Sequence, residues 1–168
     1  RYLCRFRKKI MDFSDMEYND RVEGGVGKQA EDIFEQHLTD LGLVKQKDWL
    51  KAATSPWEHS IDFFWYYTDI IIVPDYIFNR RDKLYLTEVK GTKKIKFSDM
   101  VKLRELYERA KDYPEVKVGI TYVNIKTKEV KWYSFDEVLK MWDSVKEHHT
   151  YHEKDFKGQE KRYKILPL

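Results

Sequence analysis

Two acidic residues and a lysine stand on consecutive predicted strands near the middle of the chain. Asp75 begins the first of these strands, and Glu88-Val89-Lys90 ends the second. Mg²⁺ prefers hard oxygen ligands, so two carboxylates that lie close together are able to share one such ion. A bound metal lowers the pKa of a water molecule and stabilises negative charge on a phosphate, while the ammonium of Lys90 can face either group. These residue types therefore suit the hydrolysis of a phosphodiester bond.

The two strands must hold these side chains on one face of a sheet. Strand patterns cover Tyr76–Phe78 and Leu84–Lys90. Because side chains alternate along a strand, Glu88 and Lys90 share a face. We expect the hairpin to be centred between residues 80 and 81, which sets Asp75 opposite Leu86 and diagonal to Glu88. A shift of one residue would move Asp75 to the other face.

The rest of the chain predicts a mixed α/β domain with a central sheet flanked by helices. Apolar spacing predicts helices over 28–41, over 98–112 with Ser98 as N-cap, and from 135 to about 146 after a Ser134/Glu137 capping box. A strand is predicted over Val116–Asn124, with a hairpin partner after it. We expect a single domain over 1–168 with its core at about 24–146, a basic arm at 1–10 and a polar tail at 148–168.

These motifs resemble the signature of the PD-(D/E)XK nuclease superfamily. Pro74-Asp75 and Glu88-Val89-Lys90 match it in order and spacing. The run Gly27-Lys28-Gln29-Ala30-Glu31 is similar to the helix that precedes the sheet in Holliday-junction resolvases of the archaeal type. The resemblance covers roughly residues 24–125.

The resemblance implies a restriction-endonuclease-like fold and a metal-dependent nuclease. It implies that Asp75 and Glu88 bind Mg²⁺ (with Mn²⁺ as a substitute), that Glu31 contributes directly or through water, and that Lys90 assists catalysis. DNA is the substrate it favours, in phage or mobile-element DNA processing or in the cleavage of junctions and other DNA structures.

Charge is concentrated just beyond these motifs. Residues 90–111 hold eight basic and three acidic side chains, although the whole chain has a net charge of only +3. Basic side chains of this kind contact phosphates without reading sequence. Lys102 is the strongest candidate, since the corresponding helix of the family often carries a polar site residue; resolvase-like members tend to have Gln there. The predicted nucleic-acid contacts are Lys93, Lys94, Lys96, Lys102 and Arg104.

Composition limits the other function classes and leaves alternatives open. One cysteine rules out an internal disulfide framework, and the absence of a leader or a long apolar run predicts a cytoplasmic protein without membrane contact. A homodimer is compatible with the cleavage of two strands.

The alternatives to the nuclease are a non-catalytic nucleic-acid-binding module on the same fold, an RNA endonuclease, and an unrelated interaction domain in which these charged residues only lie on the surface.

Overall fold

A computed structural model describes residues 25–52, 73–154 and 160–168 of the chain. The predicted arm at 1–10 lies outside these residues, as does most of the segment between the first two strands. Within the described residues the chain forms a mixed α/β structure, as the sequence predicts. Its elements are α1 (Val26–Asp40), β1 (Trp49–Lys51), β2 (Tyr76–Arg80), β3 (Lys83–Lys90), β4 (Lys94–Lys96), α2 (Phe97–Ala110), β5 (Val116–Asn124), β6 (Glu129–Ser134), α3 (Phe135–Ser144), β7 (His149–Lys154) and β8 (Glu160–Ile165).

The larger of two sheets has five strands in the order β1-β2-β3-β5-β6. Strands β3 and β5 run parallel, and the other neighbouring pairs are antiparallel. A parallel pair requires a long crossover, and here β4 and α2 lie in that crossover. Strand β3 is the central strand of this sheet, and its last residues, up to Lys90, pair with β5.

The β2–β3 hairpin is shifted by two residues from the predicted register. Its two turn residues are Arg81 and Asp82, whose φ angles of 50° and 58° are those of a type I′ turn. Tyr76 pairs with Thr87, and extending the ladder by one position places Asp75 directly opposite Glu88. The predicted pairing of Asp75 with Leu86 was therefore wrong. A shift of two residues nevertheless leaves every side chain on its predicted face, because the strand period is two.

Each face of the five-stranded sheet covers its own hydrophobic core. On one face, Val89 and Tyr76 pack with Phe34 and Leu38 of α1. On the other face, Leu86 packs with residues of α2 and α3, including Leu103 and Val138. Because Glu88 alternates with Val89, it points to the face that α2 covers.

The helix ends show which local signals the sequence carries reliably. Helix α1 ends in a Schellman motif, in which Gly42 (φ 80°) donates to Thr39 O and Leu43 donates to Leu38 O. The Ser134/Glu137 capping box of α3 is confirmed. Ser98 is not the N-cap of α2, because the helix begins earlier and Lys96 takes that position. None of the helices in the described ranges combines the length and apolar character needed to span a bilayer.

The C-terminal segment forms a second sheet, which sequence analysis did not predict. Strands β4, β8 and β7 pair in that order, and both pairs are antiparallel. Leu166 and Leu168 are buried and belong to the core beneath α2 and α3. Leu166 and Leu168 therefore belong to the hydrophobic core although they lie beyond residue 146, where the sequence analysis places the end of the core.

Candidate active site

Asp75 and Glu88 form a carboxylate pair where the start of β2 lies beside the end of β3, at the end of the hairpin away from its turn. Glu88 is 1% exposed, in the middle of the sheet. Asp75 precedes β2, and its carbonyl accepts a hydrogen bond from Ala52 N–H. Its Oδ2 atom accepts another from Val89 N–H at 2.9 Å. Backbone hydrogen bonds from both neighbouring strands thus hold Asp75 opposite Glu88.

Two lysines neutralise the carboxylate pair. The ammonium of Lys102, on α2, contacts Glu88 Oε1 and lies 4.0 Å from Asp75 Oδ1. Lys90 Nζ lies 3.7 Å from Glu88 Oε2 and 3.1 Å from Asp99 Oδ2. The buried Glu88 Oε1 makes no hydrogen bond of regular geometry, so its contact with Lys102 is an ion pair. Both carboxylates therefore converge on one cationic position.

Asp99 connects this charge cluster to the start of α2. Its Oδ2 accepts a hydrogen bond from Lys96 N–H at 3.1 Å, which caps the helix, and the same oxygen pairs with Lys90. A lysine held between two acids has little freedom to reorient. Lys90 is therefore fixed by α2 as well as by its own strand.

Burial and the neighbouring charges shift the protonation of this cluster. Burial raises the pKa of Glu88 to about 7, with a further increase from Asp75, and the cations of Lys102 and Lys90 limit the rise. Burial alone would lower the pKa of Lys90, but Asp99, Glu88 and Asp75 together raise it above its usual range. Lys90 consequently remains an ammonium at neutral pH, able to donate hydrogen bonds and unable to accept a proton.

No family model, curated protein or solved structure matches this chain. The chemistry of the site must therefore carry any functional conclusion. Its elements are two converging carboxylates, a lysine that stays charged and a second lysine at the point of convergence.

Glu31, the third predicted acid, is not joined to the carboxylate pair. It lies on α1, which packs on the opposite face of the sheet, and its Oε2 pairs with Lys51 Nζ at 2.6 Å. The described ranges contain no cluster of three or more His, Cys, Asp or Glu side chains arranged to hold a metal. Of the three predicted acids, the fold therefore brings Asp75 and Glu88 together and places Glu31 in a separate ion pair on the α1 side of the sheet.

The predicted nucleic-acid contacts divide into two groups. Lys102 belongs to the charge cluster itself. The others are exposed and outside the cluster, with Lys94 Nζ over the Tyr163 ring at 5.3 Å and Lys93 Nζ over the Tyr122 ring at 6.0 Å. The exposed group is Lys93, Lys94, Lys96 and Arg104.

Asp99 is the site residue that sequence reasoning missed. A signal was available, because Asp99 and Lys102 are three residues apart and so share one face of the predicted helix. That spacing shows only that the two side chains are neighbours. Their contacts with Lys90 and Glu88 depend on how α2 packs over β3.

Proposed function

We propose that this chain is a metal-dependent nuclease that hydrolyses phosphodiester bonds in DNA, on a restriction-endonuclease-like fold. The observation that carries the proposal is the convergence of Asp75 and Glu88 on one cationic position, beside a lysine that remains charged. The order of these residues along the chain, and their resemblance to the PD-(D/E)XK signature, support the same conclusion.

The donor set fits Mg²⁺, with Mn²⁺ as a substitute. Asp75 and Glu88 supply hard oxygen ligands, and the ammonium of Lys102 already stands in for a cation between them. Asp75 and Glu88 would hold the metal, which supplies charge stabilisation and a more acidic water molecule. Glu31 does not enter this set, because its carboxylate is paired with Lys51 on the other side of the sheet.

Lys90 would act as a hydrogen-bond donor and a fixed positive charge. The raised pKa keeps it protonated, so it can orient the attacking water or neutralise a phosphate oxygen. Asp99 holds its ammonium from the side of α2, at 3.1 Å. Asp99 is thus proposed as a positioning residue.

The exposed lysines would hold the DNA backbone next to this site. Strand β4 follows β3 after three residues, and its Lys94 and Lys96 share the outward face while Ile95 is buried beneath. Tyr163, opposite Lys96 on β8, adds an aromatic ring beside these cations. This surface suits salt-sensitive binding to phosphates without sequence readout.

One observation favours a second candidate, the non-catalytic nucleic-acid-binding module. The Lys102–Glu88 ion pair already gives the buried acid a counter-ion from within the chain, without a metal. In that case the exposed lysines would still bind nucleic acid, but no cleavage would follow.

A cleavage panel distinguishes these functions. The purified chain is incubated with labelled single strands, duplexes, flaps and four-way junctions, as DNA and as RNA, with Mg²⁺, Mn²⁺ or EDTA. We expect metal-dependent cleavage of DNA that is lost in Glu88→Gln and kept in Glu129→Gln, the same substitution at an exposed residue of β6 that pairs with Lys131. Cleavage of RNA alone would make the chain an RNA endonuclease. Salt-sensitive binding without cleavage would support the non-catalytic module, and neither binding nor cleavage would overturn both proposals.

A further inference from the structure

The two lysines of the charge cluster are held in different ways. Lys90 pairs with Glu88 and also with Asp99, which lies outside the carboxylate pair. Lys102 makes its ion pairs, within the described part of the chain, only with Asp75 and Glu88. Loss of the carboxylate pair as a partner would therefore free Lys102 and leave Lys90 anchored.

We propose that Lys102 is a built-in counter-ion that a divalent cation displaces. In the metal-free protein its ammonium pairs with both Asp75 and Glu88, and when a divalent cation binds these oxygens the side chain turns away toward solvent. The inference rests on the proposed function, because it concerns the metal site assigned there. It adds that this chain carries its own competitor for that site.

Steric and electrostatic reasons make the two cations mutually exclusive. The ammonium contacts Glu88 Oε1, an oxygen that a metal held by Glu88 and Asp75 would need. A divalent cation and an ammonium in one small, poorly hydrated space repel each other strongly. One of the two must leave.

The Lys102 side chain is able to leave. It is 17% exposed, so part of it already meets solvent, and its four-carbon stem is flexible. Helix α2 need not move for this change. The displaced ammonium would remain beside the site, where a phosphate of the nucleic acid can take over as its partner.

This exchange has two consequences for binding. Metal affinity is weakened, because the metal must first break a buried ion pair. Nucleic acid raises the metal affinity, because a phosphate that binds the displaced ammonium favours the state in which Lys102 has left the carboxylates. Such coupling is reciprocal, so the metal raises the affinity for nucleic acid as well. Metal and nucleic acid are therefore expected to bind cooperatively.

The test measures metal binding directly, without nucleic acid or cleavage. Mn²⁺ is titrated into the wild-type chain and into Lys102→Met, and free Mn²⁺ is followed by electron paramagnetic resonance. We expect the variant to bind Mn²⁺ more tightly by about 5–150-fold. Lys111→Met is the matched control, since Lys111 is the C-cap residue of the same helix and pairs with Glu108. The Mn²⁺ affinity of this control should equal that of the wild type.

Two further variants keep the result interpretable. Lys102→Arg retains the charge and should keep the weak affinity, and Lys102→Gln replaces Lys102→Met if the latter does not fold. An affinity of Lys102→Met that equals or falls below that of the wild type would overturn the inference, as would a failure of every variant to bind Mn²⁺. If the wild type cleaves DNA but Lys102→Met binds Mn²⁺ only as tightly as the wild type, the inference about Lys102 fails and the proposed nuclease stands. If Lys102→Met binds more tightly but the wild type cleaves nothing, the proposed nuclease fails and the exchange stands.

Discussion

Asp75 Oδ2 accepts a hydrogen bond from the backbone N–H of Val89 at 2.9 Å, one residue beyond Glu88 on the neighbouring strand. A hydrogen bond to the main chain of the strand that carries Glu88 thus fixes the orientation of the Asp75 carboxylate. The remaining oxygen, Oδ1, faces Lys102. A site whose ligands are held by rigid strands loses little entropy when it binds a cation.

Replacing Asp75 separates its charge from its hydrogen bond. Asp75→Asn keeps an oxygen that can accept from Val89 N–H but removes the charge, so we expect cleavage to fall by about 10²–10³-fold with the melting temperature nearly unchanged. Asp75→Ala also removes the acceptor, which adds a loss of roughly 1–3 kcal/mol in stability. Cleavage assays and thermal unfolding of both variants measure these effects. If Asp75→Asn cleaved DNA as fast as the wild type, the charge of Asp75 would have no part in the reaction.

The raised pKa of Glu88 predicts a particular dependence of stability on pH in EDTA. The pKa is about 7 in the folded chain against an ordinary value of 4.5, because the carboxyl is buried beside Asp75. The folded state therefore binds the proton more tightly, and this contribution is fully present below pH 4.5 and is lost as pH rises to 7. Glu88→Gln cannot titrate, so its stability relative to the wild type should increase over that interval. Urea unfolding at a series of pH values measures the difference.

Glu137→Gln supplies a control of opposite sign. Hydrogen bonds from the Ser134 hydroxyl and backbone N–H lower the pKa of Glu137, so its charge stabilises the fold at neutral pH and this benefit disappears in acid. We expect this variant to be less stable than the wild type at pH 7 and similar to it at low pH. If Glu88→Gln followed the same course as Glu137→Gln, the assigned shift of Glu88 would be wrong.

The face of the carboxylate pair was predictable, and its register was not. Strand alternation together with the assumed hairpin centre predicts Asp75 on one face with Glu88 and Lys90, and the ion pairs confirm that shared face. The register depends on the turn, and Arg81-Asp82 adopts positive φ angles that the sequence pattern Asn-Gly usually signals. An error of two residues was harmless only because it equals the strand period.

The second sheet and the placement of the helices depend on long-range contacts, which the sequence does not show. Strand β8 is held by β4, more than sixty residues earlier, through a segment that has only three paired residues. No local periodicity marks such a pairing, so the sequence predicts only a polar tail at 148–168. The positions of Asp99, Lys102 and Glu31 relative to the carboxylate pair depend in the same way on which helix covers which face.

The C-terminal segment should be essential to stability. Leu166 is 1% exposed in the core beneath α2, whereas Ile165 beside it is 45% exposed. Leu166→Ala should cost about 2–5 kcal/mol, because it removes buried apolar contacts and leaves a cavity. Ile165→Ala should cost under about 1 kcal/mol. Chemical denaturation of both variants measures this contrast, and equal costs would show that residues 160–168 do not pack as described.

Gly91, next to Lys90, should tolerate no side chain because α1 lies against it. A Cβ atom there would lie 2.7 Å from Val26 O and 2.9 Å from the Ala30 Cβ, and the first of these is backbone that cannot turn aside. Gly91→Ala must therefore push the start of α1 away from the end of β3, and we expect a loss of about 1–3 kcal/mol. Gly27→Ala is the control on the same helix, where a Cβ meets nothing within 4 Å, and it should stabilise the fold by about 0.4–1 kcal/mol. Urea unfolding of the two variants compares them. If Gly91→Ala were as stable as Gly27→Ala, α1 could not lie against the end of β3.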